Sequence, residues 1–489
     1  MRRGRAVGLG AAIALGSSAV LPAPASAHGI GGVSDLPIPT WLFAWAAAIV
    51  LVASFVALAT LWPEPRLERH RQRVVAAVPR LLEPLAGAVG VLLLALVVYS
   101  GLGGEQGDPN RNLAPTAVYV YFWVGLPLAS FLFGDIFRAL NPWRALARAG
   151  AWAARRAGLR LPPAREYPRW LGQWPAAAGI LAFAWVELCY PSRAVPSTLA
   201  LLVLGYVVAQ LLGMASFGIE TWERRGDPFA VYLGLFAKLS PISWEGGELH
   251  LRRPLEGVTR LEVLPGTVAL LAVMIGSTSF DGLSQTTAWT ELLPGLQRDL
   301  SALGGPGALE LVNTVGLGLT ILLVAGIYRL GILGLHSLGP RLPTAELSRR
   351  FAHTLVPIAL AYLLAHYFTF LVYQGQSLAY LISDPLGTGA NLFGTAHATI
   401  DYGVISASHA WYIEVAALLA GHVAALLLAH DRALASYRDE WDAGTARVGP
   451  GGVLVLERRI SDAIRSQYWM LGVMVAFTCL GLWLLSAAA

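Results

Sequence analysis

The sequence predicts an all-α fold, a polytopic transmembrane helical bundle of about ten spans behind an N-terminal signal peptide. Three observations carry that expectation. Of 489 residues, 56% are hydrophobic and 13% charged, whereas ordinary soluble domains carry about 25% charged residues. Ten apolar windows reach the ~20 residues that a helix needs to cross the hydrocarbon core. The 35 Lys and Arg fall between those windows with a strong bias to one side, the pattern that orients a bundle.

The chain opens with Arg2, Arg3 and Arg5, runs through an apolar stretch from Ala6 to Leu21 and reaches Ala25-Ser26-Ala27. A basic start, an apolar middle and small residues at a cleavage point make residues 1–27 a signal peptide, and cleavage after Ala27 leaves His28 as the mature N-terminus. Left uncleaved, the same run becomes an eleventh span and the remaining topology is unchanged. Residues 28–489 are then one transmembrane domain. Its expected spans lie at 40–62, 81–102, 114–136, 170–190, 198–220, 261–280, 309–333, 353–376, 408–430 and 467–487.

With the mature N-terminus outside, 29 Lys and Arg fall on the cytoplasmic side and three outside, Arg111, Arg193 and Arg298; the other three belong to the signal. The inner loop 137–169 holds eight Arg, and the outer loop 377–407 has neither Lys nor Arg. A wrong span count would scramble that split. The expected location is a bacterial plasma membrane, with both mature termini extracytoplasmic and the lipid bilayer as the first partner. The net charge of +5 is therefore a topology signal. A nucleic-acid binder gathers its cations on one face instead, so nucleic acid is not an expected partner.

Composition and motifs exclude several classes. Cys189 and Cys479 both lie in apolar stretches, which argues against a disulfide framework or a Cys-based zinc site. Five Met are too few for a copper(I) conduit. The chain has no phosphate-cradling Gly-x-x-x-x-Gly-Lys-Ser/Thr loop, no His-Glu-x-x-His, no Gly-x-Ser-x-Gly and no dinucleotide fingerprint. Segments 221–260 and 431–466 read as interfacial helices and small hairpins, with a Gly-Gly turn inside Trp244-Glu-Gly-Gly-Glu-Leu-His-Leu-Arg252. A weak internal echo links Gly134-Asp135, which continues to Asn141-Pro142, with Gly226-Asp227-Pro228-Phe229, which continues to Ser240-Pro241.

Ionisable groups inside spans are costly and face protein or water-filled cavities, so they are the first candidates for chemistry. In the eighth span Tyr362, His366, Thr369, Tyr373 and Gln376 recur at helical spacing, a polar stripe on one face. Such a stripe is either an interhelical hydrogen-bond seam or the wall of a solute path. The outer loop then offers His397 and Asp401 between Gly394 and Gly403; if that piece is helical, the two side chains share a face. The ninth span opens with His409 and reaches Glu414 about 9 Å below its outer end, while His366 lies about 15 Å below the end of its own span. His422, deeper still, pairs with His366 or Glu414 or satisfies a backbone carbonyl. His70, His250, His336, His353 and His430 read as interfacial on the cytoplasmic side.

The run from Ser277 to Trp289 is dense in polar and aromatic groups, and Asp281 reads there as a helix cap or as an orienting group. Imidazole with carboxylate is the ligand mix that suits zinc or iron, and equally a general base with its orienting partner. The expected site therefore takes His366, His397, Asp401 and His409 as metal ligands for a divalent transition metal (zinc, iron or copper), with Asp281 and Glu414 as catalytic carboxylates. A mature N-terminal His28 would add an amine and an imidazole, a grip that favours copper.

His28-Gly-Ile-Gly-Gly through Asp35-Leu-Pro-Ile-Pro-Thr-Trp-Leu-Phe43, the loop Gly134-Asp-Ile-Phe-Arg-Ala-Leu-Asn-Pro-Trp-Arg144, Gly226-Asp-Pro-Phe229 with Ser240-Pro241, and Ser277-Thr-Ser-Phe-Asp-Gly282 together resemble a family of bacterial membrane proteins labelled fenitrothion hydrolase. The resemblance spans nearly the whole chain. It implies hydrolysis of an organophosphorus ester, with an apolar substrate approaching from the bilayer, and it carries no catalytic motif onto particular residues. Attack on a phosphotriester needs an activated water and stabilisation of the phosphoryl oxygen, which a metal held by His and carboxylate supplies. Two other classes stay open: a transporter or permease for a metal ion or small solute, and a membrane subunit that docks a protein partner through its arginine-rich loops.

Overall fold

A computed structural model describes residues 40–69, 71–304, 307–338, 342–440, 464–465 and 467–487. The expected signal peptide, His28 and most of segment 431–466 lie outside the described residues. In chain order the elements are α1 (Thr40–Leu61), β1 (Gln72–Ala77), α2 (Leu82–Gly103), α3 (Leu113–Phe133), α4 (Ile136–Leu140), α5 (Pro142–Arg156), α6 (Trp174–Leu188), α7 (Pro196–Phe217), α8 (Ile219–Arg225) and α9 (Pro228–Ala237). There follow β2 (Ile242–Glu245), β3 (Glu248–Arg252), α10 (Thr267–Ser284), α11 (Thr287–Gly304), α12 (Ala308–Leu338), α13 (Thr344–Phe351), α14 (Leu355–Gln374), α15 (Ala407–Glu440) and α16 (Tyr468–Ala487).

Among the described residues nine helical runs are long and apolar enough to cross a membrane: α1, α2, α3, α7, α10, α12, α13 with α14, α15 and α16. The chain is thus an all-α polytopic bundle. The expected fourth span folds as α6, whose 15 residues reach about 22 Å against a hydrocarbon core of about 30 Å.

Helix packing follows the rule of a lipid solvent, in which large apolar side chains gain little by turning inward. On α2 the buried residues are Gly87, Gly90, Ser100 and Gly101, while Leu85, Leu92 and Leu93 stay exposed. A Cβ at Gly90 would come within 1.8 Å of the Leu140 carbonyl oxygen, so only glycine lets α2 lie against α4. The bundle centre is α10 and α14, with 78% and 61% of their apolar windows buried, against 17% for α1.

Two departures from expectation involve the segment between α7 and α10. The segment read as interfacial contains α9, which is inside the bundle: Phe229, Tyr232, Leu233 and Phe236 are buried, and Tyr232 stacks on Trp123 of α3 at 5.0 Å. A ten-residue apolar helix escapes a 20-residue hydropathy window. Its start is held by Asp227, which accepts from Ala230 N (3.2 Å), Tyr206 Oη (2.8 Å), Trp143 Nε1 (2.5 Å) and Asn141 Nδ2 (3.3 Å). Asn141 in turn caps α5 by accepting from Arg144 N (3.0 Å). The two echoing loops thus meet at their helix starts.

The second departure is a third strand. The expected hairpin forms from β2 and β3 about Gly246 and Gly247, both at positive φ (61° and 80°), a turn that glycine adopts without strain. β1 then adds to the other edge of β3, giving the antiparallel order β1-β3-β2. Gln72-Arg-Val-Val-Ala-Ala77 lacks the apolar–polar alternation that would have announced it.

An ion-pair network ties α2, α4, α5 and α8 together. Arg144 contacts Glu83, Glu220 (3.3 Å) and Glu223 (3.1 Å), Arg138 contacts Glu220 (2.9 Å) and Glu223 (3.6 Å), and Arg148 reaches Glu83 (2.8 Å) and Glu220 (2.7 Å). Burial pushes the Glu223 carboxyl up to about 8 despite Arg144 and Arg138 beside it. Burial also acts upward on Glu220, but its guanidinium partners prevail and hold it down to about 2. His353 and His430, read as interfacial, are buried instead; His430 bridges Gln467 Oε1 and the Trp62 carbonyl, both at 3.0 Å.

Candidate functional site

A polar cluster inside the bundle is built on α10, α14 and α6. The α10 hydroxyls of Ser277, Thr278 and Ser279 bond back to carbonyls of their own helix, Met274 twice and Ile275 (3.3, 3.2 and 2.8 Å). That leaves Asp281 to face outward from the helix. It is not a cap, because α10 runs on to Ser284; the cap of the following α11 is Thr286, whose Oγ1 accepts from Trp289 N (3.3 Å). Asp281 is 5% exposed and meets α14.

His366 presents Nε2 to Asp281 Oδ2 at 2.9 Å, where an Nε2–H tautomer donates to the carboxylate. Tyr367 donates its hydroxyl to the same oxygen at 2.7 Å, and Gln285 Nε2 donates to Asp281 Oδ1 at 3.2 Å. The Tyr367 hydroxyl also lies 3.5 Å from Glu187 Oε1, in the last turn of α6. Glu187, Tyr367, Asp281 and His366 therefore form one continuous run across three helices. Trp123 and Tyr232 stand within electrostatic reach of Tyr367 and Glu187 respectively, and Arg193, on the loop after α6, acts on Glu187. Trp123 sits on the π-helical stretch of α3, Ala117–Gly125, a local rewinding that recurs at functional sites.

Of the sequence-predicted residues, Asp281 and His366 are brought together. The others are not joined to them. His397 is exposed in a turn closed by Ala398 N donating to the Thr395 carbonyl (3.0 Å), and the segment between Gly394 and Gly403 is not helical, so His397 and Asp401 share no helix face. Gly394 at φ 79° turns the chain there. The Gln376 side chain pins the Asp401 backbone through its N–H and carbonyl (2.9 and 3.0 Å), and Asp401 Oδ1 accepts from Gly403 N (2.7 Å). His409 is exposed at the start of α15, where Nδ1 meets Ser406 Oγ at 2.7 Å. Glu414 is buried on α15 and makes no hydrogen bond or ion pair with a described residue. Among the described residues no group of three or more His, Cys, Asp or Glu is placed to share a metal ion.

The polar stripe on α14 bonds mainly to backbone carbonyls of a neighbouring helix and of the outer loop. Tyr362 donates to the Phe477 carbonyl (3.2 Å), Tyr373 to the Ile405 carbonyl (3.2 Å), and Gln376 holds Asp401. His422, also buried, turns Nδ1 to the Leu418 carbonyl at 2.8 Å rather than to His366 or Glu414. Sequence reasoning missed Tyr367 and Glu187. Tyr367 stands one residue off the stripe, and Glu187 sits at the end of an apolar window, where a carboxylate reads as interfacial. Its position within a span was the available signal.

No protein-family model, curated protein or solved structure matches the chain.

Proposed function

We propose that the protein is a transporter of the permease class, which couples movement of a small solute to protons passing along Glu187, Tyr367, Asp281 and His366. The observation that carries this reading is their close succession inside the bundle, at 3.5, 2.7 and 2.9 Å. Carboxylates and imidazoles are expensive in hydrocarbon and recur there in proton relays. A phenol between two carboxylates accepts a proton from one side and gives one to the other, and the imidazole continues the run by exchanging protons at its two nitrogens. The bias of Arg between the spans supports an orientation that puts this run in the extracytoplasmic half. The lack of a sizeable soluble part among the described residues fits transport, in which the bundle itself does the work.

One observation favours a second reading. Asp281 against His366 is also the geometry of an orienting carboxylate and a general base, which with the family resemblance supports hydrolysis of an organophosphorus ester. His366 would take a proton from the attacking water as the new P–O bond forms and the ester P–O bond to the leaving alcohol breaks. Here His366 acts as the base and not as a metal ligand.

Purified protein in sealed vesicles with an internal pH-sensitive dye tests both. The transport reading expects an imposed pH gradient to decay faster than in empty vesicles, with the excess lost in Asp281→Asn. Equal decay in protein-containing and empty vesicles overturns it, and release of a phenol from a phosphotriester by the wild type but not by His366→Gln establishes the second reading instead.

A further inference from the structure

Away from that run, a cavity of about 510 Å³ opens between α8, α9, the β2–β3 hairpin and the segment leading into α10. Its charge is unbalanced: six cationic side chains and four carboxylates line it. Each of the carboxylates already has a partner. Glu223 lies between Arg144 (3.1 Å) and Arg138 (3.6 Å), Glu262 is 3.9 Å from Arg225, and Glu245 accepts from Ser243 Oγ (2.7 Å). Asp135 is committed to the start of α4, accepting from Arg138 N (3.2 Å).

The cations are less well matched. Arg252 gives its guanidinium N–H groups to the neutral carbonyls of Ser240 (2.9 Å) and Ala237 (2.8 Å), and the carboxylates of Glu245 and Glu256 act on it only through space. Lys238, Arg224 and Arg260 line the same cavity, and their side chains make no hydrogen bond or ion pair with a described residue. Lys238 is also the one lysine among 35 Lys and Arg. A lysine is a compact, mobile point charge that moves onto a ligand where an arginine fork would impose a plane. Val231, Leu235, Leu261 and Leu264 give the cavity an apolar stretch of wall.

We propose that this cavity binds a phosphate-bearing anion, with Lys238 and Arg260 contacting the phosphate and the Arg252 guanidinium behind them. The lining holds more cationic side chains than carboxylates, six to four, and a phosphate monoester carries about −1.5 to −2. Burial first, and then the neighbouring Arg252 guanidinium, hold the Lys238 ammonium below the usual lysine range. An arriving anion relieves that repulsion. The phosphate is either free or the headgroup of an anionic lipid whose chain follows the apolar wall. This site stands independently of the transport reading.

The single lysine makes the test site-specific. Full-length protein in detergent is treated with a limiting amine-directed acetylating ester, and peptide mass spectrometry follows the rate at Lys238 with the N-terminal amine as internal reference. Inorganic phosphate, a short-chain phosphatidic acid and the matching diacylglycerol are added in turn. Protection of about tenfold is expected once the ligand is tenfold above its Kd. Arg260→Gln, at an exposed position, should raise the protecting concentration about tenfold, the scale of one charge-assisted contact. Protection by phosphate identifies a soluble ligand as sufficient, and protection by phosphatidic acid alone identifies the lipid headgroup. Protection by neither, equal protection by the diacylglycerol, or an unmoved midpoint in Arg260→Gln overturns the proposal.

Discussion

Arg144→Met probes the junction on which α5, α8 and the end of α2 are hung. Arg144 is 3% exposed, and its guanidinium serves Glu83, Glu220 and Glu223 at once. Methionine keeps the apolar stem and deletes the charge. Removing one partner from a buried ion cluster costs about 3–5 kcal/mol, because the other is left uncompensated. Glu223 softens that loss: burial already holds its carboxyl up at about 8, so near neutral pH the orphaned acid keeps a proton instead of standing as a bare charge. The expected cost is therefore at the lower end, about 3 kcal/mol. In the Arg144→Met background, Glu223→Gln should cost less than it does alone, with a coupling of about 2 kcal/mol. The assay is reversible unfolding in mixed micelles by titration with a denaturing detergent, applied to wild type, both single variants and the double variant. A single variant within about 0.5 kcal/mol of wild type, or additive single effects, would refute the reasoning.

Three further outcomes are expected. Glu223 has a folded-state value above its ordinary 4.5, so the stability it confers is complete below about pH 4.5 and lost as pH rises through about 8; Glu223→Gln should flatten the stability profile across that window, and an unchanged profile contradicts the burial argument. Gly90→Ala places a Cβ 1.8 Å from a backbone carbonyl, which cannot rotate away, so α4 and α5 must shift at a cost of about 1–3 kcal/mol; unfolding in mixed micelles at the wild-type midpoint would rule this out. Glu414→Leu removes a buried carboxyl that has no partner among the described residues and should stabilise the bundle by about 1 kcal/mol or more, whereas a loss of stability would show that the carboxyl has a partner after all.

The long helices were legible because lipid leaves little choice: a backbone crossing hydrocarbon must satisfy itself, and the apolar windows record that demand. His366 was legible for the same reason, since an ionisable group inside a span had to face protein, whereas Asp281 lay one residue beyond the expected sixth span and read as a cap or an orienting group. What stayed hidden depends on tertiary neighbours. Tyr367 has an ordinary place in an apolar span until Asp281 and Glu187 arrive from α10 and α6. α9 is too short for a window sized to a membrane, and its burial rests on Asp227 being satisfied by Tyr206, Trp143 and Asn141 from other elements. The helix imagined between Gly394 and Gly403 fails because Gly394 turns the chain and Gln376 takes the Asp401 backbone. Helical spacing alone contained no sign of either.

The proton run is tested most directly by Tyr367→Phe, which deletes one oxygen atom and leaves Glu187, Asp281 and His366 in place. The measurement is the initial rate of proton movement into vesicles that hold equal amounts of wild type or variant under the same imposed pH gradient. The account predicts a protein-dependent flux in the wild type and a fall of at least about tenfold in the variant, the scale of one lost proton-transfer contact. A variant that moves protons as fast as the wild type would contradict the claim that Tyr367 links the two carboxylates.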